Sequence, residues 1–388
     1  MSQPNRQGTA PLDASIIALS SGEANADGRV GARVALIMAG GTGGHIFPGL
    51  AVAQALRERG WRVHWLGGAG TPNRPSMEGQ LVPPCGFAFE AIAFSGVRGK
   101  GVATLALLPV RLLRAFWQSL QIIRRVKPDV VVGLGGYISF PAGMMAVLLG
   151  KPLVLHEQNS VAGLANKVLA RVADKVFTAF PHVLKAAECV GNPLRQAFTQ
   201  QRGPVERFAD RTGPLRLLVV GGSLGAKALN ELVPRALALI PAASRPHVIH
   251  QSGALQLQAL QTSYAAAGVV AELTPFIDDT AQAFAEADLI VCRAGASTVA
   301  EIAAVGAAAL FVPLPSAADD HQTHNARFLA SQGAGWLIAQ RDLTAQNLAD
   351  LLQKTKREQL LTLGLAAKSM QKTQATQQMV DACNALVA

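Results

Sequence analysis

The chain has little of what would mark a secreted, metal-bound or disulfide-built protein. Its 388 residues hold four cysteines, Cys85, Cys189, Cys292 and Cys383, scattered with no Cys-x-x-Cys pair and no metal spacing with histidine. That excludes a zinc ribbon and a disulfide framework, and predicts free, buried thiols in a reducing cytoplasm. Residues 1–30 lack a secretory pattern, since their only apolar piece is Ile16-Ile17-Ala18-Leu19. They read as a disordered extension before a fold that starts near Arg33. Aromatics make up only 5% of a composition that is 50% hydrophobic. A chain of this length, rich in Ala, Gly, Val and Leu, suits two domains of parallel α/β layers.

Two further absences concern charge. Val130 to Gly150 carries none and is long enough to span a bilayer. Gly133, Gly135, Gly136 and Pro141 interrupt it, so a buried strand, a glycine loop and a short helix fit better. From Ala91 to Pro128 there is no acidic residue, while Arg98, Lys100, Arg111, Arg114, Arg124, Arg125 and Lys127 lie among many apolar ones, including Leu112, Phe116 and Trp117. The net charge of +10 is open to several anionic partners. This stretch has more apolar surface than a nucleic-acid face carries. It reads as a segment that inserts into a membrane surface and holds lipid phosphates, or as an ordinary amphipathic helix with a basic rim.

What is present is glycine at strand ends. Gly40-Gly41-Thr42-Gly43-Gly44-His45 follows the apolar Val34–Met38, and Gly221-Gly222-Ser223-Leu224-Gly225 follows Leu217–Val220. Each is a strand–turn–helix junction whose backbone N–H groups can face an anion. Neither dinucleotide nor Walker chemistry fits the first loop. Ile46 stands where a dinucleotide fingerprint needs glycine, Leu66-Gly67-Gly68 replaces the acid after the second strand, and no Lys-Ser/Thr follows. Strands are expected at 34–38, 61–66, 129–133, 153–155, 175–178, 216–220, 247–250, 288–292 and 308–312, with loop over 67–86. A hinge is expected at Val190–Arg195, and a polar helical tail after Leu343, packing back on the first half.

Several residues carry chemistry. His45, where a helix begins, should be neutral and able to accept a proton, because the positive end of a helix disfavours imidazolium. Ser223 either adds a hydroxyl to an anion site or caps a helix. Thr298-Val299-Ala300-Glu301 reads as a capping box, or as a carboxylate that takes both hydroxyls of a ribose. His321, His324 and Asp320 invite a metal reading, but a third firm ligand is missing. Groups that read sugar hydroxyls fit that cluster better.

Together these loops resemble the glycosyltransferases of the GT-B architecture, and more narrowly the peptidoglycan enzymes that add N-acetylglucosamine (GlcNAc) to lipid I and yield lipid II. The likeness rests on Gly40–Pro48, Gly133-Leu134-Gly135-Gly136-Tyr137, His156-Glu157-Gln158-Asn159, Gly191–Arg195, Gly221–Ala226, Arg293–Glu301 and Asp320-His321-Gln322. It implies an α/β fold of two Rossmann-like doubly wound domains facing across a cleft. The domains would be an N-terminal acceptor domain over 31–193, a UDP-GlcNAc domain over 194–365 and a returning helix over 366–388. It also implies inverting transfer from UDP-GlcNAc to the 4-hydroxyl of the N-acetylmuramic acid (MurNAc) of lipid I, with no metal or other cofactor required. His45 would be the base, with Glu157 as a weaker candidate. Ile277 would contact uracil through its backbone, and Glu301 would take the ribose diol. Ser223 and Arg195 would serve the nucleotide and diphosphate. Asn159, Gln322 and the backbone of Ala296 and Ser297, with neighbouring Thr298, Val299 and Ala300, would read the sugar and nearby groups. Thr42, Gly43 and Gly44 would touch the donor from the first domain. Family members can carry Gln-Gln where this chain has His321-Gln322, so the sugar role falls to Gln322. The implied location is peripheral, on the cytoplasmic face of the bacterial inner membrane. Residues 91–128 would meet an anionic surface, nucleic acid would not be a partner, and cell-wall and division machinery would lie nearby. Other readings are a UDP-GlcNAc 2-epimerase, a glycolipid synthase or a non-catalytic nucleotide-sugar-binding module.

Overall fold

The computed structural model describes residues 31–71, 75–94, 107–222 and 225–388. The extension over 1–30 lies outside the described residues, as do Arg98, Lys100 and Ser223. The described residues of 33–388 form two parallel sheets. The first has seven strands in the order β3-β2-β1-β4-β5-β6-β7. They are β1 (Val34–Met38), β2 (Arg62–Gly68), β3 (Ala88–Ile92), β4 (Val130–Gly133), β5 (Leu153–Glu157), β6 (Lys175–Thr178) and β7 (Glu188–Cys189). The second has six, in the order β10-β9-β8-β11-β12-β13. They are β8 (Arg216–Val220), β9 (His247–Gln251), β10 (Glu272–Thr274), β11 (Leu289–Cys292), β12 (Ala309–Phe311) and β13 (Trp336–Leu337).

The central strands β1, β4 and β11 are buried along their whole length. Helices cover both faces of each sheet, which is why these strands are continuous apolar runs rather than alternating ones. In each sheet the chain moves outward from the central strand through two neighbours and then returns to its other side. That return is a topological switch point, where a crevice opens outside the strands' carboxyl ends. One crevice lies between β1 and β4, paired at Met38 and Gly133, and the other between β8 and β11, paired at Val220 and Cys292. Both glycine loops leave from these ends.

The structure departs from the expected elements in informative places. The stretch 67–86 is not all loop. It contains the helix Met77–Leu81, whose cap Ser76 accepts the Gly79 N–H at 3.0 Å. The first helix runs Gly43–Glu58 and takes His45 into its first turn, because Thr42 takes the extended N-cap conformation and its carbonyl accepts the His45 and Ile46 N–H groups. The uncharged run 130–150 forms β4, a loop and the helix Ser139–Leu148. Among the described residues, no helix is long and apolar enough to cross a membrane.

Three helices, Ala345–Lys354, Arg357–Ser369 and Ala375–Val387, end the chain. The last buries Ala375, Met379, Val380 and Cys383 in the first half's core, beside Ala35, Ile37, Val52 and Leu56. Trp61 Nε1 also donates to Asn384 Oδ1 at 3.1 Å. Burying a side chain such as Met379 is worth roughly 1.5–3 kcal/mol, so this helix is part of the first half's core. The two crossings between the halves touch at Gly191 (φ +87°), where any Cβ would collide with Lys372. His156 pins that crossing, its Nε2 donating to the Gly191 carbonyl at 2.8 Å. All four thiols are free. Cys292 and Cys383 are buried, and burial raises the Cys383 thiol to about 12. Cys85 is exposed and Cys189 half-buried, contrary to the expectation that all four would be buried.

Candidate active site

The first crevice is built by two loops clasped together. Gly136 approaches so closely that a Cβ there would stand 2.5 Å from the Gly40 carbonyl oxygen. His45 lies in the first turn of Gly43–Glu58, with Nδ1 3.1 Å from Thr42 Oγ1. The expected site residue Thr42 therefore spends its hydroxyl on the imidazole. A Cβ at Gly135 would stand 3.0 Å from His45 Cδ2 and 3.1 Å from Nε2, so glycine there keeps the ring's far edge clear. Burial lowers the His45 pKa more than any other influence. Glu157 and the Gly40 carbonyl act in the opposite direction, and His321 lowers it further. The result is a neutral imidazole at neutral pH. If Nδ1 holds the proton toward Thr42 Oγ1, the Nε2 lone pair is left to accept one.

Glu157 is placed differently. Its Oε1 accepts from the Asn159 N–H at 2.9 Å and from Asn159 Nδ2 at 3.4 Å. Its Oε2 accepts from Asn166 Nδ2 at 2.8 Å and from the Gly163 N–H at 3.1 Å. All four donors belong to its own segment, so Glu157 shapes the loop after β5 and orients Asn159. A second carboxylate belongs to none of the sequence motifs. Buried Glu78 accepts the Gly68 N–H at 2.9 Å and the Gly41 N–H at 3.2 Å. The Gly41 N–H is thus committed internally, so it is not among the first-loop N–H groups that can face an anion. Glu78 is the sole acid between Glu58 and Glu90, and that isolation in a Gly/Pro-rich stretch was the available signal.

In the second crevice, Gly222 (φ +84°) and Gly225 (φ +73°) turn the chain before the helix Lys227–Ala238. Any Cβ at Gly225 would collide with the Ser252 carbonyl. Gly225→Ala is therefore expected to lower stability by about 1–3 kcal/mol, read as a reduced midpoint in thermal unfolding. An unchanged midpoint would show that the loop adapts at no cost.

The helix Ala296–Val305 opens with Gly295 at its N-cap and no side-chain cap bond. Thr298 and Glu301 form no capping box, contrary to that expectation, because the helix starts after Gly295 and Thr298 is already inside it. Among the described residues, the buried Ser297 Oγ has no hydrogen-bond partner. Glu301 stands 3.8 Å from Arg195. Burial pushes its carboxyl up to about 7, with Arg195 acting against that shift. The Arg195 guanidinium lies 4.9 Å from the Phe198 ring centroid and 5.4 Å from that of Phe47, two residues beyond His45. Arg195 thus ties the acid on the second side to the helix that carries His45 on the first. Gln322 Oε1 accepts the Leu314 N–H at 2.9 Å and the Ala294 N–H at 3.2 Å, which leaves its Nε2 hydrogens to reach a ligand. The Ile277 carbonyl accepts from Thr280 Oγ1 at 3.4 Å, between β10 and the helix Thr280–Glu286.

The two sides meet at Asn325, which is buried. Its Oδ1 accepts from Ser160 Oγ at 2.7 Å and the Ser160 N–H at 2.9 Å, and its Nδ2 donates to the Ala294 carbonyl at 3.2 Å and Asn159 Oδ1 at 3.4 Å. Of the neighbouring histidines, His324 is exposed, and His321 Nδ1 lies 2.6 Å from the Ala318 carbonyl. Among the described residues, no group of three His, Cys, Asp or Glu is placed to hold a metal ion.

Away from the crevices, the helix Leu108–Val126 buries Ala115, Ser119, Ile122, Ile123 and Val126. Leu107, Val110, Leu113 and Trp117 are 51–69% exposed, and the spacing of three and four residues puts them on one stripe. Arg111 and Arg114 are exposed among them. Leu112 and Phe116, singled out from the sequence with Trp117, turn partly inward, and Phe116 packs edge-on against Phe140 at 5.8 Å.

Residues 35–178 match the glycosyltransferase family 28 N-terminal domain, and residues 216–384 match its C-terminal domain. The chain is 77% identical over 354 residues to the UDP-N-acetylglucosamine–N-acetylmuramyl-(pentapeptide) pyrophosphoryl-undecaprenol N-acetylglucosamine transferase of Polaromonas naphthalenivorans, covering 91% of this chain and 98% of that protein. It is 72% identical over 356 residues to the protein of the same name from Paracidovorax citrulli, covering 92% and 99%. Among solved structures, MurG of Acinetobacter baumannii superposes with a TM-score of 0.77 at 40% identity, covering 91% of this chain and 99% of that one.

Proposed function

The chain belongs to glycosyltransferase family 28, and on that premise we propose that it transfers GlcNAc from UDP-GlcNAc to the 4-hydroxyl of the MurNAc of lipid I, forming β-1,4-linked lipid II. The observation that carries this reading is the pairing of two switch-point crevices. A buried acid and an arginine stand on one side and a neutral imidazole on the other, joined through Arg195 and Phe47.

The roles follow from the chemistry. Glu301 takes the ribose hydroxyls, and the second glycine loop, with Arg195 and the N-terminus of Ala296–Val305, faces the diphosphate. Gln322 reads the sugar with Nε2, since its two bonds engage only Oε1, and Asn159, joined to Glu157 and Asn325 through its amide, meets the sugar with its remaining N–H. The acceptor hydroxyl attacks the anomeric carbon from the face opposite UDP, so the configuration inverts. His45 takes the hydroxyl proton, and Glu157 keeps Asn159 and its loop in place. Oriented N–H groups and Arg195 stabilise the charge that develops on the leaving diphosphate, so no divalent ion is required. Turnover in excess EDTA is expected to stay within about twofold of the untreated rate, since no carboxylate pair is needed to carry a metal–diphosphate complex. Loss of activity in EDTA that Mg²⁺ or Mn²⁺ restores would overturn this mechanism.

The stripe Leu107, Val110, Leu113 and Trp117, bordered by Arg111 and Arg114, supports peripheral docking on an anionic membrane, where a polyprenyl-linked acceptor resides. The cytoplasmic face of the inner membrane is the proposed side. Supply of lipid II there would connect the protein to wall growth, cell shape and division, and to the machinery that performs them. The combined change Leu113→Ser with Trp117→Ser is expected to weaken binding to phosphatidylglycerol-containing vesicles by roughly tenfold or more. It should leave turnover of a short-chain, water-soluble acceptor nearly unchanged. Equal loss in both assays would show that the stripe serves the acceptor site instead.

A further inference from the structure

Gln251 ends β9 beside the second crevice and is 3% exposed. Both ends of its side-chain amide are engaged. Oε1 accepts the Gly221 N–H at 3.2 Å, and Nε2 donates to the Gly222 and Pro275 carbonyls, each at 3.1 Å. The partners fix which end is which, because an N–H faces one end and two carbonyls face the other. These bonds join two segments that are far apart in sequence. Gly221-Gly222 is the loop leaving β8. Pro275 follows β10, whose Thr274 is the register partner of Gln251 itself, and lies two residues before Ile277.

Resting on the UDP-GlcNAc reading above, we propose that Gln251 is a positioning residue that sets donor-nucleotide specificity by fixing the distance between the diphosphate-facing loop and the base-facing segment. A nucleoside diphosphate is held at both ends, and its span is rigid once the ribose is bound. If the two protein segments keep a constant separation, a uracil meets the 275–277 backbone while the diphosphate meets the 221–222 loop. A purine is longer from ribose to outer edge and is excluded by that same separation. Gln251 touches no part of the nucleotide in this account. It acts by joining the two segments that do. The Ser252 N–H donates to the Thr274 carbonyl at 2.9 Å, which holds the strand end in place and leaves the Gln251 amide to set the position of the residues that follow it.

The test compares UDP and ADP binding by calorimetry in the wild-type protein, Gln251→Met and Gln251→Glu. Methionine keeps the shape of the side chain and removes all three bonds. Glutamate keeps an acceptor for Gly221 and removes both donated bonds, and it maintains the polarity of the site should the methionine variant fail to fold. UDP affinity is expected to fall about tenfold in either folded variant, with ADP affinity unchanged or raised, so that discrimination collapses. Donor KM should rise, while acceptor KM and saturated kcat stay near wild-type values. UDP-over-ADP discrimination within twofold of wild type in a folded variant would overturn the proposal, as would a fall in kcat with donor KM unmoved. A wild-type protein that binds UDP and ADP alike would instead overturn the donor assignment on which the proposal rests.

Discussion

Replacing His45 by alanine is expected to lower kcat by about 10²–10⁴-fold while UDP-GlcNAc affinity stays near the wild-type value. The acceptor hydroxyl loses its proton only as the bond to the anomeric carbon forms, so a missing base affects the transition state and not the bound donor. The pH profile adds a second readout. Burial lowers the His45 pKa, so the ring is neutral and competent at neutral pH. Activity should fall as acid protonates it, below the ordinary histidine range, and His45→Ala should lack that acid limb. A variant with normal kcat at saturating acceptor, a raised acceptor KM and an unchanged pH profile would make His45 a binding group. Four hydrogen bonds already engage Glu157. Glu157→Gln is therefore expected to disturb the Asn159 loop and not to remove the group that takes the acceptor's proton.

Glu301→Gln is expected to weaken UDP binding by about 1.5–3 kcal/mol, on the order of 10- to 150-fold, because two ribose hydroxyls lose a charged acceptor. Burial pushes the Glu301 carboxyl up to about 7, so near neutral pH a substantial share of free protein carries the proton. Hydroxyl donors favour the ionised form. UDP affinity should therefore rise as pH increases through about 7, and binding near that pH should release a proton. Calorimetry in buffers of different ionisation enthalpy measures that release, and Glu301→Gln should abolish it. A folded variant with unchanged UDP affinity would leave Glu301 as a buried partner of Arg195 only.

The parts of the fold legible in the sequence were those where burial forces composition. β1, β4, β8 and β11 are central strands, and their apolar runs at 34–38, 130–133, 217–220 and 289–292 announce them. The outer strands β3, β10 and β13 carry exposed or half-buried residues such as Glu272 and Trp336, so neither an apolar run nor clean alternation marks them. Glycine loops were visible because only glycine tolerates the turns at Gly222 and Gly225. The contacts that organise these loops were not visible. Glu78 acts on Gly41 from 37 positions away, and Gln251 acts on Gly221 from 30 positions away. A lone acid in a loop or an amide at a strand end has no local pattern. Helix faces failed in a similar way. In Leu108–Val126 both faces carry large apolar side chains, so only packing against Phe140 shows that Phe116 turns inward while Trp117 turns out. Glu301 was ambiguous because Thr-x-x-Glu is also a capping pattern, and only the position of Gly295 at the helix start removes that alternative.

The most direct measurement is a transfer assay with purified protein, UDP-GlcNAc radiolabelled in the sugar and a lipid I analogue. The account predicts that label moves to the acceptor in a β-1,4 linkage, with one UDP released per sugar transferred and no label lost to free GlcNAc while acceptor is present. Conversion of the donor to its 2-epimer, or UDP binding without any transfer to the acceptor, would contradict it.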